Sequence, residues 1–357
     1  MTPAARDAAH ADAPGAWDEH DAAAHQRFVA AARGFWSTRL FDAVRRQVGR
    51  EVPPHDAAYA AFVQQHPTHR YFAWLERHLQ RMKYSGPYGI VATAARNRTA
   101  HVEALARPLP AGMLQLDPQF EAPAYYRACD IHQHPGGLGG DPLAGVVYRM
   151  ATASGVVGKP QLHERFARLV TAGRSVTRAL DLGCGFGKST QAFAQALPSA
   201  QVHGIDLSAG CLLAAAQDTP AERRTRVTFA QRDAAATGLP TGLYDLVTST
   251  MLLHEMPEDV VRRLIAETAR LVTPGGIVAH LDFLPPEDPL LAILFAGHAR
   301  RNNEPYLLDH SRIDLSEAYA KAGFSSVEAV AFAEEDGAHE SALPKWRLPW
   351  TIIFAQR

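Results

Sequence analysis

From about residue 160 onward, short β-branched or aliphatic runs alternate with helical patterns, and this restricts the chain to βαβ units around a largely parallel sheet. The runs predict strands near 177–182, 201–206, 226–231, 244–250, 276–283, 325–333 and 348–355, with helices in most of the gaps. Only the proline-containing stretch AEEDGAHESALPKWRLP separates the last two, so they can pair antiparallel, whereas the earlier ones need crossovers. The expected fold class is α/β with seven strands, behind an N-terminal region that is mainly α-helical.

That helical region rests on periodicity. Phe28, Phe35, Trp36, Leu40, Val44 and Val48 recur at helical spacing until Gly49, Pro53 and Pro54 stop the pattern. A second stripe, Tyr71, Leu75, Leu79 and Met82, ends near SGPYG. Residues 1–20, rich in Ala, Pro and Asp without periodicity, are expected to be disordered or loosely attached. The division expected is thus 1–20, a helical unit over 21–158 serving as substrate lid or dimerisation surface, and an α/β domain over 159–357. A homodimer is one use of such a surface.

With 357 residues, 47% of them apolar, the chain can bury a full core. The net charge of −1 and the lack of a long Lys/Arg tract give no support for capture of DNA or RNA. Cys129, Cys184 and Cys211 are odd in number and widely spaced, which argues against a disulfide framework or a thiolate zinc site and for a cytoplasmic setting. The first residues do not read as a secretory signal, and no apolar run approaches the roughly 20 residues of a membrane span.

The strongest local signal is ALDLGCGFGKST, where a strand ending at Leu182 meets Gly183, Gly185 and Gly187 before a helix. Glycines there let backbone amides approach a ligand at the carboxyl end of a parallel strand. The spacing is GxGxG, not the GxGxxG that cradles a pyrophosphate, and Asp181 before it disfavours phosphate and suits an ammonium group. Asp206 closes the next strand, where a carboxylate can take the two hydroxyls of a ribose. In order, DLGCGFG, GIDLS, QRDAA, LLHEMP and LVTPGG resemble the successive motifs of class I S-adenosylmethionine-dependent methyltransferases over roughly residues 160–357. The resemblance implies a Rossmann-like sheet, S-adenosylmethionine as cofactor, the glycine loop along its methionine part and Asp181 near its amino group. It also implies Asp206 on the ribose, Leu207 flanking the adenine, and Asp233 with Ala234 at the adenine edge.

Methyl transfer is an in-line displacement in which positioning does most of the work. A general base matters only where the nucleophile must lose a proton. His254, after the fourth strand and before a helix opened by Pro257, Glu258 and Asp259, is the first candidate base, and Asp282 is a weaker one. Two polar, loop-like segments are candidates for the acceptor pocket: one holds His132, His134 and Tyr148, the other Asn302, Asn303, Glu304 and Tyr306. The HxH pair of His132 and His134 lacks an obvious third and fourth ligand, so no metal is expected. No DPPY, NPPY or Pro-Cys motif of nucleic-acid methyltransferases is present, nor the paired-glutamate loop of protein-arginine enzymes. What remains is O-, C- or N-methylation of a small molecule, with secondary metabolism as one setting. The alternative is an enzyme of the same fold that retains the cofactor for an isomerisation, cyclisation or hydroxylation.

Overall fold

The computed structural model describes residues 18–53, 55–153, 160–333 and 344–357. Residues 1–17 of the stretch expected to be loosely attached lie outside these, as do the expected border at 158–159 and most of the loop before the last strand. Residues 18–20 open the first helix.

Helix α1 (Asp18–Phe35) continues through a five-residue π segment, Trp36–Leu40, into α2 (Phe41–Val48), so the predicted first stripe is one winding rod. There follow α3 (Ala57–Gln65), α4 (Pro67–Tyr84), α5 (Ile90–Arg96) and α6 (Arg98–Leu105). Asp56 caps α3 by accepting from Tyr59 N, and Pro67 fits the first turn of α4, where its missing N–H is no loss. The inward face of α4 differs from the expected stripe. Leu79 is buried and Leu75 packs against the core as expected, but Tyr71 is exposed, and Phe72, Glu76 and Gln80 are buried beside Leu79. Hydropathy alone missed part of that face because two of its buried positions are polar and find partners elsewhere in the fold.

A two-residue strand β1 (Leu114–Gln115), a short α7 (Ala124–Arg127), α8 (Ala144–Ala153) and α9 (Pro160–Thr171) lead into the α/β half. That half runs β2 (Arg178–Leu182), α10 (Lys188–Ala196), β3 (Gln201–Asp206), α11 (Ala209–Asp218), β4 (Val227–Gln231) and β5 (Tyr244–Thr250). It continues with α12 (Glu258–Leu271), β6 (Val272–Phe283), α13 (Pro289–Arg301), α14 (Leu315–Lys321), β7 (Ser326–Ala331) and β8 (Trp350–Gln356).

The sheet has eight strands in the order β1-β4-β3-β2-β5-β6-β8-β7, one more than the seven expected. The extra strand is β1, which pairs parallel with β4 (Leu114 beside Phe229) while Phe229 N donates to Met113 O at 2.8 Å. Two residues leave no alternation to read, yet they cover a sheet edge that would otherwise stay open. Strand β8 pairs antiparallel with both β6 and β7, as its connection allowed. Strand order reverses between β2 and β5, the crevice where open α/β sheets bind ligands. Trp36, Phe41 and Phe72 of the N-terminal helices share one buried cluster with Phe166, Leu246 and Phe295. Among the described residues no helix is long and apolar enough to cross a membrane.

Candidate active site

A cavity opens at the carboxyl ends of β2, β3, β4 and β5. Of the residues singled out in the sequence, Gly183, Gly185, Asp206, Leu207, Ala234, Tyr148 and His132 line it. The others stand behind that lining, and each has a physical reason.

Asp181 is fully buried beneath the loop, where its Oδ2 accepts from the hydroxyls of Ser189 and Thr190 at 2.6 Å each. Burial raises its pKa to about 6 against those bonds, and its Oδ1 has no hydrogen-bond partner. Gly187 (φ +86°) faces the sheet: a Cβ there would stand 2.9 Å from the Cβ of Ala215, so only glycine lets α10 pack onto α11. Gly185 (φ +52°) is the loop glycine under the ring of Tyr148, which a Cβ would meet at 3.3 Å. Asp233 turns back on its own chain, its Oδ1 accepting from Ala235 N at 2.8 Å.

Asp206 is aimed into the cavity by two backbone amides, Gly185 N on Oδ2 and Ser208 N on Oδ1, both at 2.8 Å. A carboxylate offers about four lone-pair sites, so capacity remains for two ligand hydroxyls. Burial pushes its pKa upward.

On the other loops, His134 is buried and stacked on Tyr84 with ring centroids 5.1 Å apart, and burial lowers its pKa to about 4. Asn303 (φ +55°) donates to Asp130 O at 3.3 Å, and Tyr306 donates to Tyr125 O at 3.4 Å. Both brace the segment around Tyr126 and His132 from outside the cavity.

His254 is not at the rim where a base would meet an acceptor. It is 3% exposed, with Nδ1 2.6 Å from Asp282 and Nε2 3.4 Å from Glu255. Burial opposes its charge, but the carboxylates of Asp282 and Glu255 outweigh it and hold its pKa well above the ordinary value. Both ring nitrogens are engaged by carboxylates, and neither faces the cavity. Asp282 is equally committed: burial would raise its pKa, yet His254 draws it down to about 2, and it also accepts from Leu252 N and Leu253 N.

The structure joins these groups into a chain of alternating charge. Asp282, His254, Glu255, His132, Glu304, His298, Glu76 and Arg301 follow one another, each within ion-pair distance of the next. The chain crosses from β6 through the turn Leu253–Glu255, the segment around His132 and α13 to α4. Against the cost of burial, Glu255 and Glu304 hold the His132 pKa at about 10, and Glu304 and Glu76 hold that of His298 at about 9. Glu255 in turn is drawn down to about 2 by His132 and His254, although burial would raise it.

Among the residues that face the cavity and that sequence reading missed are Tyr125, Tyr126, Met251 and Glu255, together with the cationic Lys188 and Arg232. The adjacent tyrosines in APAYYRAC and the glutamate following His254 were the available signals. Met251 takes φ +57°, a strained conformation for a non-glycine residue of the kind that clusters at functional sites.

Residues 179–276 match the family model of the methyltransferase domain. An uncharacterized methyltransferase of Synechocystis sp. is 31% identical over 177 residues, 48% of this chain and 78% of that protein. A trans-aconitate 2-methyltransferase of Streptomyces avermitilis is 39% identical over 114 residues, 32% of this chain and only 41% of its own length. Among solved structures, an S-adenosylmethionine-dependent methyltransferase of Mesorhizobium loti aligns with a TM-score of 0.42 at 22% identity, over 57% of this chain and all of that one. The chain belongs to the class I S-adenosylmethionine-dependent methyltransferases. It is an enzyme of that class, with S-adenosylmethionine as its cofactor.

Proposed function

We propose that this enzyme methylates a small molecule held in this cavity, with Asp206 and the glycine loop on the cofactor and the segment around Tyr126 and His132 on the acceptor. The observation that carries this reading is the pairing, in one cavity, of a ribose-competent carboxylate with an acid and aromatic side chains that no cofactor contact uses up. Asp206 keeps lone-pair capacity for ligand hydroxyls, whereas Asp181, buried behind the lining, acts by holding the start of α10 through Ser189 and Thr190. Leu207 and Ala234 supply apolar surface for the adenine, while Asp233 acts by shaping the turn behind Ala234.

When bound, the cofactor supplies an electrophilic methyl whose bond to sulfur breaks as the acceptor attacks in line from about 3–3.5 Å. The protein positions the acceptor against the apolar surface that Tyr126, Tyr148 and Ile131 give the cavity lining. His254 and Asp282 serve as positioning residues under Glu255, not as a base. O-, N- and C-acceptors all remain within this reading. The trans-aconitate relatives align over about a third of this chain, so their acceptor is not carried over.

Calorimetric titration with S-adenosylmethionine and S-adenosylhomocysteine, followed by a product-release assay against phenols, amines and carbon acids, tests the reading. Binding with release of S-adenosylhomocysteine supports methyl transfer. Binding with conversion of an acceptor but no release favours the cofactor-retaining alternative, and no binding overturns both. Asp206→Ala is expected to weaken cofactor binding by about 1–3 kcal/mol through lost hydrogen bonds to a charged group.

A further inference from the structure

Glu255 is the one member of the alternating chain, besides His132, that lines the cavity. Its Oε1 is shared by His132 Nε2 at 2.9 Å and His254 Nε2 at 3.4 Å, whereas its Oε2 has no hydrogen-bond partner. A buried acceptor left without a donor is costly, and buried polar atoms in folded proteins are as a rule paired. The missing donor is one that a bound acceptor can supply.

The neighbours of Glu255 decide what kind of acceptor that is. Flanked by His132 and His254, the carboxylate stays ionised, and an ionised carboxylate can only accept hydrogen bonds. The two imidazoliums that neutralise it have no nitrogen to spare. His132 faces Glu255 and Glu304, and His254 faces Asp282 and Glu255. An anionic group at Glu255 would meet a carboxylate with no free N–H from His132 or His254 to answer it; the other cations that line the cavity, Lys188 and Arg232, come from the start of α10 and the end of β4. Tyr126 Oη and Thr250 Oγ1 also line the cavity without partners, and either can accept from or donate to the same ligand.

Resting on the methyl-transfer reading, we propose that Glu255 is the specificity-determining residue for the acceptor. It takes an N–H or O–H of a neutral or cationic acceptor and rejects molecules that present a carboxylate there.

The test uses the full-length protein saturated with S-adenosylhomocysteine and three probes on one skeleton: 2-phenylethylamine, 2-phenylethanol and phenylacetate. In the wild type the amine and the alcohol should bind, with phenylacetate weaker than the amine by at least about tenfold, which is about 1.4 kcal/mol. In Glu255→Gln that difference should shrink by at least about tenfold, with S-adenosylhomocysteine affinity kept within about twofold as the check on folding. The wild-type comparison stands even where the variant fails to fold. Phenylacetate binding as tightly as the amine, an unaltered preference in the folded variant, or no binding by any of the three overturns the assignment. Loss of S-adenosylhomocysteine binding by the wild type would instead sink the methyl-transfer reading, so the two failures are separable.

Discussion

Nε2 of His132 lies 2.9 Å from Oε1 of Glu255, and this contact ties the Ile131–Gln133 segment to the turn that follows the fourth strand of the parallel core. The other ring nitrogen reaches Glu304, also at 2.9 Å, so one side chain carries two buried carboxylates. His132 itself adopts φ +56°, a conformation its surroundings must enforce.

Removing that ring should therefore cost stability as well as order in that segment. Breaking a buried pair from one side costs about 3–5 kcal/mol because the remaining charge is stranded. His132 is 27% exposed, so water can reach the gap. His132→Ala is expected near the lower figure, about 3 kcal/mol, by urea denaturation. An unchanged midpoint would mean that the two contacts contribute nothing to stability.

His254 should leave no mark on the rate as a titrating base. Held as an imidazolium between Asp282 and Glu255, it does not change charge across about pH 6–8, the interval where a free histidine does. The activity profile of the wild type and of His254→Gln should have the same shape there, the variant being less stable because Asp282 loses its partner. A limb near neutrality that disappears in the variant would restore His254 as the base.

Two glycines of one loop should behave differently. Gly187→Ala forces a Cβ onto Ala215 at φ +86° and should destabilise by about 1–3 kcal/mol, read from thermal or chemical unfolding. Gly185→Ala is strained by φ +52° but meets only the ring of Tyr148, so it should lose less stability than Gly187→Ala and also weaken cofactor binding, read by calorimetry. Equal stability losses in the two variants would remove the distinction between packing glycine and ligand glycine.

Stability should peak near pH 6.5. Burial holds His69, His134 and His280 at about 4, so between there and the unfolded value of about 6.5 the unfolded chain binds more protons and stability rises with pH. Asp181, raised to about 6, opposes this with a single proton. Above about 6.5, His132 and His298 keep protons that the unfolded chain has lost, up to about 10 and about 9, so stability falls. Lys83, lowered to about 7 mainly by burial, offsets one of those two. Denaturation midpoints from acid to alkaline pH would show the dome, and a monotonic rise to about pH 9 would contradict it.

Much of the α/β half was legible because its signals are local. Strands at 201–206 and 244–250 coincide with β3 and β5 to the residue, since a buried parallel strand is a short aliphatic run wherever it occurs. Asp206 was found at its strand end for the same reason. Roles behind the first layer were not legible: Asp181, Gly187 and Asp233 sit in the right motifs yet face inward or back on the chain. The direction of a side chain depends on what packs against it, and a motif does not state that. Strand β1 was missed because two residues have no period.

By itself the sequence determined a sheet with a glycine loop and acids at the ligand ends of its strands, because strand pattern, turn chemistry and chain order suffice for that. Only the tertiary structure decided which groups form the buried ion-pair chain and which line the cavity. His298 and Glu76 stand 222 positions apart and meet at 2.6 Å, a proximity no local pattern encodes. Burial makes each such charge depend on the next, so the ionised Glu255 in the cavity follows from packing across four elements and not from its place in LLHEMP.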